Sequence, residues 1–286
     1  MLPNYGQIFK EFRINRHFTL KQVANEHVSL AQLSKFERGE TDLSLTKFIS
    51  ALDAINVRVT EFMDRVNNYQ RIQQAETMNK MLSYFYRGDI DGLNNLIAIE
   101  KEKSEKNLTT YRHRLNAIMF KGAIAQLENH HQMESSDLEF VSDYLFSVEN
   151  WGVDEVLLVI NLASFYPTEL VVMRTRKIIE NKTFYQELPK NQKLVEEVLI
   201  DTVLLCLSRK ELKYVPEFID HLSSMLEGEN SAYRRIIFHY IKGFYNYLKG
   251  DNSGLALIEE AIAMLETLNY PLRAKYYREF FKRNQS

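Results

Sequence analysis

The sequence predicts an all-α chain in two parts: a front unit of five short helices, then a superhelix of about five degenerate helix pairs closed by a C-terminal capping helix. Three observations point there. Glycine and proline number only 10 and 5 in 286 residues, which disfavours folds that spend both on sheet turns and phosphate loops. Apolar residues recur at helical spacing, as in Ile8, Phe9 and Phe12. A stretch near residue 84 returns, loosely, near residue 246.

The first helix is expected from about Tyr5 to Arg16, with Ile8, Phe9 and Phe12 on one face. Thr19 opens a second as N-cap, and Gln22 three residues on completes a capping-box pattern; this helix should end near Glu26. After a corner through His27 and Val28, Ser29 can cap a third helix, Leu30 to Arg38, which Gly39 stops where a left-handed residue is wanted. Ser44 or Thr46 opens a fourth helix carrying Phe48, Ile49 and Leu52, and a fifth follows near Thr60 with Phe62. This unit is placed at 1–66. Residues 67–75, "NNYQRIQQA", are polar without Pro or Gly and read as a helical connector.

The remainder, 76–286, is read as one repeat domain. "YFYRGDIDGLNNLI" (84–97) aligns with "NYLKGDNSGLALIE" (246–259), matching Gly88 with Gly250, Asp89 with Asp251 and Gly92 with Gly254. Each copy reads as an aromatic helix, a glycine corner, an Asp cap and a second helix. Further breaks fall between His131 and Ser136, at Pro167 and at Ser208–Arg209, so the corners are spaced roughly 33 to 46 residues apart, the period of helix-pair repeats. Such pairs bury their faces only by stacking, which leaves a concave inner surface. "PLRAKYYREFFKRNQS" is a final helix whose Tyr276 and Phe280 cap the stack or dock on a second subunit.

Composition narrows the function classes. The single Cys206 rules out an intrachain disulfide framework, and within the apolar run "VLLCLS" it reads as a buried, inert thiol. No apolar run reaches signal-peptide or membrane-span length, so a cytoplasmic location is expected. No GxxxxGK[ST], GxGxxG or HExxH motif is present, and no catalytic residue, cofactor or metal ligand is assigned. His130 and His131, between Glu128 and Glu134, lack ligand spacing and read as a solvated corner; "IEKEKSEK" near residue 100 reads as a solvated face or short loop. Over 1–66, nine Lys and Arg against eight Asp and Glu leave +1. One copy would bind a polyanion weakly, because non-specific DNA affinity comes from neutralising phosphates, so a dimer is expected.

The order of short helices resembles the helix-turn-helix family of the phage-repressor or XRE type. The matching residues are Leu20, Val23 and Ala24, then Leu33, Phe36, Glu37 and Gly39 within "QLSKFERG". The corner is about one residue shorter than in that family and lacks its turn glycine. The resemblance implies a third helix entering the major groove of DNA. Leu30, Ala31, Ser34 and Lys35 would then face base edges, with Lys35 donating to guanine and Leu30 and Ala31 touching thymine methyls. Lys10, Ser29, Gln32 and Arg38 would contact phosphates. Arg13 and Glu37 would form an ion pair inside the unit.

A DNA-reading unit joined to degenerate helix pairs resembles, over essentially the whole chain, the Rgg/GadR/MutR regulators, which are peptide-pheromone receptors with tetratricopeptide-like repeats. "FERGE" and the segment "DYLFSVENWGVDEVLLVINL" (143–162) carry the likeness; where that group often has an aromatic pair, this chain has Val153 and Asp154. The resemblance implies a homodimeric transcription regulator whose repeat domain binds a short signalling peptide and thereby alters DNA or RNA polymerase engagement. Candidate peptide-facing residues are Asn116, Asn161, Phe165, Arg174, Tyr240 and Phe244, since amides satisfy an extended backbone and Arg174 could grip a carboxylate. Trp151 reads as packing. Two other functions stay open: a regulator whose repeats bind a protein or small ligand, and a repeat protein acting on response regulators.

Overall fold

The computed structural model describes residues 4–67, 73–106, 111–128, 132–181, 189–226 and 232–285, with backbone alone for 73–75 and 189–190. The polar join at 68–72 and the His130–His131 pair lie outside the described residues. Within them the chain is helical without a strand, and it divides into two compact units, Met1–Asn79 and Lys80–Ser286.

The first unit holds α1 (Tyr5–Asn15), α2 (Leu20–Val23), α3 (Leu30–Glu37), α4 (Leu45–Ala54) and α5 (Val59–Val66). Its core is Phe9, Val23, Leu33, Phe36, Leu52, Ile55 and Phe62, all essentially inaccessible, with Phe48 edge-on to Phe62 at 4.9 Å. Burying each such side chain contributes about 1.5–3 kcal/mol. Close crossing of α1 over α3 depends on Gly6, where a Cβ would sit 1.8 Å from the Phe36 carbonyl oxygen. Both capping boxes form: Thr19 Oγ1 accepts from Gln22 N (3.3 Å) and Ser29 Oγ accepts from Gln32 N (3.3 Å).

The α2–α3 corner differs from the expectation. Helix α2 stops at Val23 rather than near Glu26, because Ala24 is extended and Asn25 builds the turn. Asn25 Oδ1 accepts from the amides of His27 (2.9 Å) and Val28 (3.2 Å), its own amide bonds to the Val28 carbonyl (3.0 Å), and Nδ2 donates to Ser50 Oγ (3.0 Å). An asparagine side chain thus replaces the missing turn glycine.

The second unit takes in most of α6 (Gln73–Arg87), then α7 (Ile90–Lys106), α8 (Arg112–Leu127), α9 (Ser135–Ser147), α10 (Val153–Leu162), α11 (Thr168–Glu180), α12 (Pro189–Ser208), α13 (Val215–Met225), α14 (Ala232–Leu248), α15 (Ser253–Thr267) and α16 (Pro271–Asn284), with single 3₁₀ turns at Ala163–Phe165 and Leu212–Tyr214. In chain order α6 to α15 make five pairs, and α16 follows as the cap. The strongest packing is between sequence neighbours, within the pair α14–α15 and between successive pairs at α7–α8, as stacked helix pairs allow. Helix α12 packs against α10, α11, α13 and α14 and is buried on several sides, including Val198, Leu199, Val203 and Cys206.

The repeated corners share their glycine turns. Gly88 (φ +69°) and Gly250 (φ +85°) each end a helix in a Schellman motif, with Asp89 N reaching Tyr84 O (2.9 Å) and Asp251 N reaching Asn246 O (3.0 Å). Asp89 Oδ1 then accepts from Gly92 N (2.8 Å) and Asp251 Oδ1 from Ser253 N (2.9 Å). Gly92 and Gly254 serve close approach: a Cβ at Gly254 would lie 2.4 Å from Gly243 O and Tyr247 N. Four other helix ends take the same left-handed turn without glycine, at His17, Asn56, Lys210 and Asn269, which is how so few glycines suffice.

Helix α16 packs back on α6, with Tyr276 against Phe85 (6.3 Å) and Tyr86 (5.6 Å) and the Arg273 guanidinium over the Tyr86 ring at 3.7 Å. "IEKEKSEK" is helical, and its Glu100, expected on a solvated face, is 2% exposed. Its carboxylate is held by Asn116 Nδ2 (2.9 Å), His113 Nδ1 (2.8 Å) and Lys103 Nζ (3.2 Å). Burial pushes that carboxyl up, but these three contacts outweigh it and leave its pKa below the usual glutamate range.

Candidate nucleic-acid interface and ligand-facing residues

Helix α3 is fastened to its unit by one face and bare on the other. Leu33, Phe36 and Glu37 are buried, while Leu30, Ala31 and Lys35 are exposed and Ser34 is half-buried. Spacing dictates this division, because residues 33, 36 and 37 share one side of a helix and 31 and 35 lie away from it. Among the described residues the Lys35 side chain makes no hydrogen bond or salt bridge; its ammonium is exposed and bears electrostatically on the Glu40 carboxylate.

The buried side is locked electrostatically. Arg13 Nε and Nη2 donate to the two oxygens of Glu37 (2.6 and 2.7 Å), and Arg13 Nη1 donates to Phe18 O (2.7 Å). The Glu37 hydrogen bonds raise the Arg13 pKa further. The pair ties α1 to α3 and so fixes the angle at which α3 is presented. Two further, half-buried pairs, Arg16–Glu61 (2.7 Å) and Arg65–Glu11 (2.9 Å), join α1 and its C-cap to α5.

The four residues expected at phosphates have varied settings. Lys10 is half-buried on α1; Ser29 and Gln32 are engaged in the α3 capping box. Arg38, at the α3 C-cap, is bidentate to Glu40 (2.5 and 2.9 Å) and donates to Ser34 Oγ (2.5 Å). That hydrogen bonding raises the pKa of Arg38 and lowers that of Glu40.

The six residues expected to face a peptide fall into separate settings. Asn116 is 2% exposed and committed to Glu100. Asn161 is half-buried and donates back to Leu157 O of its own helix (2.7 Å), while its carbonyl accepts from Gln126 of α8 (3.2 Å). Phe165 is half-buried near Gly122 of α8. Arg174 is 6% exposed, over the Tyr166 ring (4.2 Å), with Nη2 donating to Ser142 Oγ (3.0 Å). Tyr240 and Phe244 lie in the α14–α16 core: Tyr240 Oη donates to Tyr277 O (2.9 Å) and Phe244 meets Phe281 at 5.3 Å. Neither ring has accessible surface for a ligand in this conformation.

Trp151 is buried, and its Nε1 donates to Leu145 O (3.0 Å), with Lys177 over the ring at 4.2 Å. The cleft beside it, reaching Lys177 and Asn181, encloses 220 Å³, below the size of ordinary ligand sites. At the Val153–Asp154 departure, Glu155 accepts from Tyr144 Oη (2.5 Å) and Gly152 N (2.7 Å), and Asp154 pairs with Arg112 (3.4 Å). Among the described residues no group of three His, Cys, Asp or Glu side chains could hold a metal, and no helix is long and apolar enough to cross a membrane. Cys206 is fully buried, its thiol pushed up to about 12 chiefly by that burial.

A compact helix-turn-helix unit with a bare second helix, followed by tetratricopeptide-like helix pairs, defines a class of helical transcription regulators. The family model described as the C-terminal domain of the HTH-type transcriptional regulator Rgg matches residues 93–279, and the chain belongs to this family. Solved structures agree in fold. The SHP pheromone receptor Rgg2 of Streptococcus dysgalactiae is 22% identical, with TM-score 0.76 over 98% of this chain and 99% of that one. A transcriptional-regulator structure from Listeria monocytogenes EGD-e superposes with TM-score 0.82 at 18% identity, covering 99% of each chain. The PrgX/cCF10 complex gives 0.68 at 16% identity over 98% and 99%.

Proposed function

We propose that the protein is a homodimeric, sequence-specific DNA-binding transcription regulator whose repeat unit binds a short peptide pheromone that switches promoter activity. The observation that carries the DNA half is the presentation of α3: Leu30, Ala31, Ser34 and Lys35 project from a helix clamped behind by Leu33, Phe36 and the Arg13–Glu37 pair. An exposed ammonium beside a hydroxyl and two apolar side chains suits major-groove base edges. The dimer follows from charge: a unit at +1 needs a second copy to accumulate phosphate contacts.

The peptide half rests on the family and on the named ligands of the pheromone-receptor structures that share its fold. Asn161 of α10 and Phe165 of the 3₁₀ turn that follows it, both beside α8, are the residues proposed to meet the peptide in this conformation. Arg174, Asn116, Tyr240 and Phe244 could take part only after rearrangement, because their side chains are already enclosed.

The test is selection of genomic fragments by the purified full-length protein, with and without conditioned medium of its host. Enrichment of paired, related half-sites supports a dimeric DNA reader, and a response to the medium supports a secreted peptide. Lys35→Ala should cost about 1–3 kcal/mol at the selected site and relax its sequence preference. Unchanged affinity for that site would remove Lys35 from base readout.

A further inference from the structure

The geometry points to Glu40 as a built-in competitor for the DNA backbone: its carboxylate occupies the Arg38 fork beside Lys35, so the free protein carries a masked cation that a phosphate must take over. This rests on the reading of α3 as the helix that meets DNA.

The placement begins with the helix terminus. Gly39, at φ +73°, closes a Schellman motif in which Gly39 N bonds Phe36 O (2.9 Å) and Glu40 N bonds Lys35 O (2.9 Å). That closure folds residue 40 back over the last turn of α3. Its two oxygens then receive Arg38 Nε (2.5 Å) and Nη2 (2.9 Å), while Nη1 of the same guanidinium reaches Ser34 Oγ (2.5 Å). All three guanidinium nitrogens are therefore engaged within the protein. Lys35 also bears on the Glu40 carboxylate electrostatically.

Helix stability does not account for this arrangement. A carboxylate at a helix C-terminus is opposed by the macrodipole, whereas Arg38 alone would be favoured there. Both side chains are about half exposed, where an ion pair adds little to folding. What the carboxylate does reproduce is the pair of oxygens that a phosphate offers to a guanidinium fork. The balance of charge makes the masking matter. Of the nine Lys and Arg in 1–66, Arg13, Arg16, Arg38 and Arg65 are paired with carboxylates. Of these four, only Arg38 sits on the bare helix. Glu40 is thus placed to hold down indiscriminate DNA binding, so that binding needs the base contacts as well.

The experiment compares four full-length proteins, wild type, Glu40→Gln, Arg38→Ala and the double variant, after circular dichroism shows equal helicity. Each is titrated with a random-sequence 30-base-pair duplex across a salt series. Glu40→Gln should bind several-fold tighter, with a salt slope steeper by about 0.9 per protomer, the value of one added phosphate contact. That gain should vanish in the Arg38→Ala background. Equal or weaker binding by Glu40→Gln would overturn the proposal, and so would the same gain with Arg38 absent, which would be loss of a negative charge and nothing more. If the wild type binds no duplex even at low salt, the DNA reading fails and this proposal with it. A binding wild type with an unmoved Glu40→Gln variant removes this proposal alone.

Discussion

Breaking the Arg13–Glu37 pair from one side should unfold the first unit well before the second. The side chains are 11% and 5% exposed, and the guanidinium makes two charge-assisted bonds to the carboxylate. Arg13→Met keeps most of the volume but leaves Glu37 ionised, enclosed and without its counter-ion. Loss of one partner from such a buried pair costs about 3–5 kcal/mol. For a unit of some 79 residues each kcal/mol lowers the melting temperature by about 4–8 °C, so the shift should exceed 10 °C. Replacing both, Arg13→Met with Glu37→Leu, should recover most of the loss, because no unpaired charge remains buried. The chain offers a clean assay. Its one tryptophan, Trp151, is buried in the second unit, so fluorescence follows that unit while circular dichroism follows both. The single variant should show an early circular-dichroism step with unchanged fluorescence. A loss below about 1 kcal/mol, or a double variant as unstable as the sum of the two singles, would refute the reasoning.

Four further outcomes are expected. Gly254→Ala should destabilise the second unit by about 1–3 kcal/mol, since its Cβ would press on the α14 backbone. Gly88→Ala, with open space but φ +69°, should cost about 1–2 kcal/mol from backbone strain alone; urea titrations followed at Trp151 compare the two, and a harmless Gly254→Ala would contradict the close crossing. Glu100, with its folded pKa depressed below the ordinary 4.5, contributes stability that is complete above that value and lost as pH falls through the folded pKa. Glu100→Gln should therefore flatten the stability profile below about pH 4.5, and an unaltered acid limb would count against the His113–Asn116–Lys103 cradle. Cys206 should resist thiol reagents in the native protein and react once it is unfolded; prompt labelling of the native chain would contradict its burial.

Local chemistry was the most legible part of the chain. The Thr19–Gln22 and Ser29–Gln32 boxes, the Gly39, Gly88 and Gly250 stops and the Asp89 cap depend on residues within a few positions of one another, so letters suffice to place them; Asp251 instead bonds two residues on, and Asn252 takes the N-cap position of α15. The Asn25 corner was missed, although Asn followed by a short polar stretch is a turn signal, because its side chain closes the loop partly through Ser50 on another helix. Glu100 looked solvated in its run of charges; the partners that allow its burial sit on α8, beyond any local window.

The amino-acid order therefore settles the class of fold and many of the residues that start and stop its helices, since these are governed by backbone terms within one or two turns. Tertiary packing decides which side of each repeat helix is core. Asn116, Arg174, Tyr240 and Phe244 have the chemistry to line a groove, yet they are enclosed by Glu100, Tyr166, Tyr277 and Phe281. A helix in a stacked repeat has apolar neighbours on more than one side, so its periodicity does not single out the face left for a ligand. That choice is made by distant side chains competing to be buried.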